Sequence, residues 1–223
     1  MFENESDEKM NGIPIKTLII GDTSVGKTNI MTRFAKNEFS ENTLATIGMN
    51  FGSKKITLEN NKTICFQIWD TSGQEKFFCT PNSFFSGAHG CFIVYDITNQ
   101  ESFDHLDIWF NKIKEVCSRD LSIILVGNKC DLKDQRKIDE NSGIKKAKNF
   151  ECPFFETSAK DNKNIEEIYK KMGQNIYEKM GDKIIIKNLP RITYIESLKY
   201  GNNRKEELKR GKDINKKNSY FCY

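Results

Sequence analysis

Apolar positions along the chain fall into two kinds of run, and the two kinds alternate. Residues 15–20 form an apolar, β-rich run, and after a polar stretch Ile30, Met31, Phe34 and Ala35 recur at helical spacing. Residues 51–58 and 63–69 read as two strands around the turn Glu59-Asn60-Asn61-Lys62. Residues 91–95 and 121–126 are short and apolar, as buried central strands are. Residues 102–117 predict one helix, with Phe103, Leu106, Phe110, Ile113 and Cys117 at three- and four-residue steps. Residues 142–150 predict a short Lys-rich helix and 153–155 a short strand. Ile165, Ile168, Tyr169, Met172 and Ile176 mark a final helix that ends near Gly181. Strands alternating with helices predict an α/β fold: a mostly parallel sheet with helices on both faces.

In such sheets ligands sit beyond the carboxyl ends of the strands. Four expected strands hand over to polar loops there. The first loop is Gly21-Asp22-Thr23-Ser24-Val25-Gly26-Lys27-Thr28, a G-x-x-x-x-G-K-[ST] phosphate-binding pattern between a strand and a helix. Backbone amides along Thr23, Ser24, Val25, Gly26, Lys27, Thr28 and Asn29 would face an anion, aided by the helix dipole. Lys27 would reach the β- and γ-phosphates, and the Thr28 hydroxyl would ligate Mg²⁺.

The other loops fit the same ligand. Asp70 ends an apolar strand, where a carboxylate is costly unless a cation offsets it; the alternative is a helix cap or turn residue. Gly73 offers an amide at close approach, and Gln74 an amide side chain that could orient water. Asn128-Lys129-Cys130-Asp131 has base-reading chemistry. The Asp131 carboxylate would accept from two adjacent N–H donors, as on guanine, and adenine lacks that pair. Asn128 would bridge to neighbouring loops, and the Lys129 stem would lie along a ring face. Ser158-Ala159-Lys160 offers a tight turn and a backbone donor for a base carbonyl.

Composition narrows the setting. The chain has 223 residues, enough for one domain with an appendage. No run approaches about 20 apolar residues, so no transmembrane span is expected. Seven cysteines without a C-x-x-C pair suggest reduced, packing thiols in a cytosolic protein. From Lys183 onward eleven basic residues face four acidic ones, a net +7 that leaves −3 for the rest of the +4 chain. Any electrostatic partner would therefore meet the tail.

Taken together, these motifs resemble those of a small GTPase of the Ras superfamily, over residues 14–180. The motifs stand in order: 21–28, Thr46, Asp70-Thr71-Ser72-Gly73-Gln74, Asn128–Asp131 and Glu156-Thr157-Ser158-Ala159-Lys160. Residues 47–51, 66–69, 76–77, 84–88 and 93–98 resemble the Rab branch most. The resemblance implies a P-loop G domain with a six-stranded sheet over 13–181, a polar extension over 1–12 and a basic hypervariable tail over 182–223. It implies a monomeric GTP/GDP switch that hydrolyses GTP slowly with Mg²⁺ and regulates vesicle trafficking. Thr46 would bind Mg²⁺ and the γ-phosphate, and Phe39 would pack against the guanine–ribose side. Gly73 would donate to the γ-phosphate and Gln74 would position water. Phe51, Trp69 and Phe84 would be an exposed effector triad, although their own pattern reads as core. An exchange factor, an activating protein and effectors are the implied partners.

Several positions depart from that pattern. Ser72 stands where Ala is usual, which leaves a non-hydrolysing nucleotide-binding scaffold as the alternative. Thr43 stands where an aromatic often covers the nucleotide, and Cys79 and Pro81 are unusual in switch II. The end carries one cysteine, Cys222, instead of a paired motif. The tail therefore reads either as a membrane-surface anchor with lipid on Cys222 or as a solvated basic segment. Its acidic residues argue against nucleic acid. The expected location is the cytoplasm, peripherally on an endomembrane.

Overall fold

Every second residue of β1 (Ile13–Ile20) serves a different side of the sheet. Ile15 and Ile19 belong to one apolar cluster and Leu18 and Ile20 to another, and all four are fully buried. This computed structural model describes residues 12–41, 49–71, 82–117 and 120–187, with backbone alone for 71 and 180–187. After β1 come α1 (Lys27–Lys36), β2 (Met49–Thr57), β3 (Thr63–Thr71), α2 (Asn82–Phe85) and β4 (Gly90–Asp96). Then follow α3 (Gln100–Asp104), α4 (Leu106–Val116), β5 (Ser122–Asn128), α5 (Glu140–Asn149), β6 (Phe154–Glu156) and α6 (Ile165–Lys187).

The described strands form one six-stranded sheet in the order β2-β3-β1-β4-β5-β6. Only the β2–β3 hairpin is antiparallel. The expected mostly parallel α/β sheet is therefore the architecture found. One face is covered by α1 and α6, where the Phe34 and Tyr169 rings stack at 3.6 Å and Phe66 meets both edge-on. The other face carries Leu106, Trp109 and Ile113 of α4 and Ala147 of α5. The five described cysteines are free thiols.

Two elements differ from the expected pattern. The single helix over 102–117 is two helices, broken at His105. Asn99 caps α3 by accepting from the Ser102 amide at 3.4 Å. The His105 amide is then shared between the Glu101 and Phe103 carbonyls, which interrupts the regular ladder. The periodic apolar positions survive the break because His105 keeps near-helical backbone angles, φ −77° and ψ −5°. The last helix runs past Gly181 to Lys187, so residues 184–186 continue it.

Candidate functional site

The parallel strands bring their carboxyl ends to one edge. In register, Ile19 lies beside Asp70, Asp96 beside Asn128, and Gly127 beside Glu156. The loops singled out by their chemistry therefore leave the sheet together.

The phosphate loop is tight. Gly21 has φ +140°, and a Cβ there would come within 2.1 Å of the Val94 carbonyl oxygen, so only glycine fits. Gly26, at φ +95°, precedes the first residue of α1, and a Cβ on it would meet Asn128 Nδ2 at 2.3 Å. Lys27 is 4% exposed, and its Nζ donates to the Gly21 and Asp22 carbonyls at 2.8 and 2.6 Å. The Thr28 hydroxyl donates to Asp70 Oδ2 at 2.6 Å. Asp70 is fully buried, and its Oδ1 has no hydrogen-bond partner among the described residues. Burial pushes the Asp70 carboxyl up to about 6, against the Thr28 hydrogen bond and the Lys27 charge, which pull it down.

These residues fit a Mg²⁺–phosphate group. A buried carboxylate oxygen without a partner, next to a hydroxyl, suits a hard cation that takes few protein ligands. The amines and amides around them suit phosphate.

The P-loop is also held from behind. Asp22 accepts from Trp109 Nε1 at 2.8 Å, and its other oxygen lies 2.7 Å from His105 Nδ1. His105 stands at the α3–α4 break and Trp109 in the first turn of α4. Sequence reasoning missed this clamp, since nothing in the spacing of three residues 83 and 87 positions apart announces it.

The base end is more heavily wired. Asn128 Nδ2 donates to the Val25 carbonyl at 2.8 Å, and Asn128 Oδ1 accepts from the Thr157 hydroxyl at 3.1 Å. One buried amide thus ties the P-loop, the loop after β5 and the loop after β6. Lys129 stands at φ +66°, and its Nζ pairs with Asp96 Oδ2 at 2.6 Å. Asp96 is held in turn by the Thr98 amide and hydroxyl. This role is not legible in the sequence, because Asp96 ends β4 and its partner Lys129 lies on the next strand's loop. The Asp131 carboxylate receives no hydrogen bond from a described residue and is available to donors on a base. Ser158 and Ala159 are buried, and Ser158 Oγ accepts from the Asp161 amide at 2.9 Å, which shapes the turn. Glu156 holds Arg136 through two bonds of 2.6 and 2.8 Å and anchors the start of that loop.

Phe39 packs partly buried against the α1–α6 cluster. Asn29 Nδ2 donates to the Ser40 carbonyl at 3.0 Å, fixing the chain just after it. Of the expected effector triad, Phe51 is 40% exposed and meets half-buried Trp69 edge-on at 5.3 Å. Phe84 is 5% exposed: it is buried in the cluster under α4, not displayed on the surface. Its apolar-run reading, core, describes its place correctly. Thr43, Thr46, Ser72, Gly73, Gln74, Cys79, Pro81 and Cys222 lie outside the described residues.

Comparisons with known proteins fit this geometry. The sequence profile described as Ras family matches residues 16–178. The Ras-related protein RIC1 of Oryza sativa subsp. japonica is 42% identical over 161 residues, 72% of this chain and 79% of RIC1. Rab-11C of Dictyostelium discoideum is 42% identical over 157 residues, 70% of each chain. Human Rab-8B is 41% identical over 161 residues, 72% of this chain and 77% of Rab-8B.

Proposed function

Because the chain belongs to the Ras family and is a Rab-like small GTPase, a GTP hydrolase, we propose that it is a GTP/GDP switch in vesicle trafficking. The observation that supports the guanine-nucleotide reading is the bond from Asn128 to the Val25 carbonyl, which ties the base loop to the phosphate loop. Ras-family GTPases bind guanine nucleotide, generally with Mg²⁺.

Each residue then has a task. Asp131 accepts from the guanine N1 and N2 donors, Lys129 lies along the ring, and the Ser158–Lys160 turn meets the base carbonyl. Phe39 covers the guanine–ribose side. The ammonium of Lys27 exchanges its loop carbonyls for the β- and γ-phosphate oxygens. Thr28, Asp70 and Thr46 would hold Mg²⁺, which supplies charge neutralisation on the phosphates. Gly73 donates to the γ-phosphate, and Gln74 orients the attacking water. No covalent intermediate forms, and positioning plus charge stabilisation do the work. Hydrolysis releases residues 39–48 and 70–83 from the γ-phosphate, which is the switch.

The same reading assigns 13–181 to the G domain, 1–12 to an extension and 182–223 to a basic tail. The tail, with a lipid on Cys222, would rest on the cytoplasmic face of an endomembrane. Among the described residues no helix is long and apolar enough to cross a membrane. Phe51 and Trp69 would meet effectors in the GTP state. An exchange factor and an activating protein would set the cycle, the latter by supplying charge or ordering Gln74.

The test is single-turnover hydrolysis of bound GTP, read by separating bound GTP from GDP. Slow conversion is expected, and Gln74→Leu should lower it with nucleotide binding kept. Tight GTP binding without conversion would overturn the switch, and equal rates in both proteins would remove Gln74 from the chemistry.

A further inference from the structure

Arg33 stands in the last turn of α1 and belongs to none of the nucleotide motifs. A basic residue there ordinarily serves the end of its own helix. Part of Arg33 does so: Nη1 donates to the Asn37 carbonyl at 3.0 Å, while the Asn37 amide returns a bond to the Arg33 carbonyl at 2.9 Å. The rest of the guanidinium crosses to another loop. Nε donates to the Ala159 carbonyl at 2.8 Å and Nη2 to the Lys160 carbonyl at 3.1 Å, 126 and 127 residues away in sequence. Its Cζ lies 5.9 Å from the centre of the Phe39 ring. One planar cation therefore touches the turn assigned to the base carbonyl and the aromatic assigned to cover the base. Glu41 and Lys160 join the same two segments at the surface, 2.6 Å apart.

We propose that Arg33 is a positioning residue that clasps the 158–160 turn to the Phe39 segment and so sets the rate at which guanine nucleotide leaves. The inference rests on the guanine-nucleotide reading above. The fork geometry explains the residue type. Three donors in one plane reach three carbonyls on two segments, and the guanidinium carbon stays within 5.9 Å of the Phe39 ring centre. A lysine donates from a single atom, so it could not span the same three carbonyls as a planar fork does. For the base to leave, the turn and the Phe39 segment must part, and the clasp opposes that parting. Mg²⁺ acts at the other end of the cleft, so the two effects should multiply.

The experiment uses the full chain loaded with N-methylanthraniloyl-GDP and chased with excess GDP, with Mg²⁺ or with EDTA. Arg33→Gln should release the labelled nucleotide about tenfold faster, the loss of roughly one charge-assisted hydrogen bond. Arg33→Lys should restore part of the retention. EDTA should speed release by the same factor in wild type and both variants. Release from both variants within twofold of wild type would overturn the clasp. So would loss of the EDTA factor in the variants, which would mean general loosening of the site. If Arg33→Gln does not fold, Arg33→Lys carries the test alone, with release faster than wild type expected. A wild-type protein that takes up no labelled GDP would overturn the guanine-nucleotide reading itself, and the clasp with it.

Discussion

The two ends of the nucleotide cleft are built on different terms. At the base end the polar side chains that shape the loops are bonded to one another, Asn128 to Thr157, Lys129 to Asp96 and Glu156 to Arg136, and Asn128 also donates to the Val25 backbone carbonyl of the phosphate loop. At the phosphate end the bonds stay close to the loop. Lys27 rests on carbonyls of its own loop, Thr28 on Asp70, and one Asp70 oxygen has no hydrogen-bond partner among the described residues. The supports of the base end are bonded across loops, whereas the phosphate end holds a buried carboxylate oxygen with no hydrogen-bond partner among the described residues. A buried polar group that is fully bonded stabilises a structure, and one that is partly bonded marks where something else binds.

Substitutions should separate the two ends. Lys27→Met should lower GDP affinity about 100-fold, since it removes a charged donor to phosphate. It should change the unfolding free energy of the nucleotide-free protein by less than about 1 kcal/mol, because relief of the cost of burying the ammonium offsets the bonds lost by the Gly21 and Asp22 carbonyls. Labelled-GDP titration and urea unfolding would check the pair of values, and a large loss of stability would erase the distinction. Asn128→Ala should do the reverse in the fold, costing about 2 kcal/mol or more in urea unfolding. It strands the Val25 carbonyl and the Thr157 hydroxyl. Stability equal to wild type would mean the base end is no better assembled than the other.

A subtler contrast comes from pH. Burial raises the Asp70 carboxyl to about 6 from an ordinary 3.8. Above that range the folded protein holds a carboxylate that the unfolded chain solvates better; below it both hold a neutral acid. Asp70→Asn should therefore stabilise the protein at pH 8 in EDTA without nucleotide. The gain should shrink through pH 6 and vanish below pH 4. Thermal unfolding across that range would show it, and a gain independent of pH would point to packing instead. Smallest of all, Trp109→Phe should cost about 1 kcal/mol in urea unfolding by removing the indole donor to Asp22. No change would mean that His105 alone suffices there.

Sequence carried the residues of the short loop motifs well and their distant supports poorly. Gly21, Lys27, Thr28, Asn128 and Asp131 stand in local motifs, so their type and spacing are readable. Asp96, Arg33, His105 and Thr157 act on neighbours far along the chain, and a hydrogen bond across a sheet edge leaves no local period. The break between α3 and α4 was hidden for a related reason. His105 keeps near-helical angles, so the apolar spacing of Phe103, Leu106, Phe110 and Ile113 passes through it. Phe84 teaches the opposite lesson: its apolar neighbourhood placed it in the core, whereas the analogy with relatives expected it outside.

The clamp on Asp22 has a kinetic consequence. Trp109 and His105 hold the phosphate loop through Asp22, so part of the loop's shape belongs to the scaffold. Between losing one nucleotide and meeting the next, such a loop has no folding of its own to repeat. Recapture is then governed by diffusion and encounter, with little delay for rearrangement. Exchange of one nucleotide for another would then be paced by departure, at the end of the cleft that Arg33 is proposed to hold.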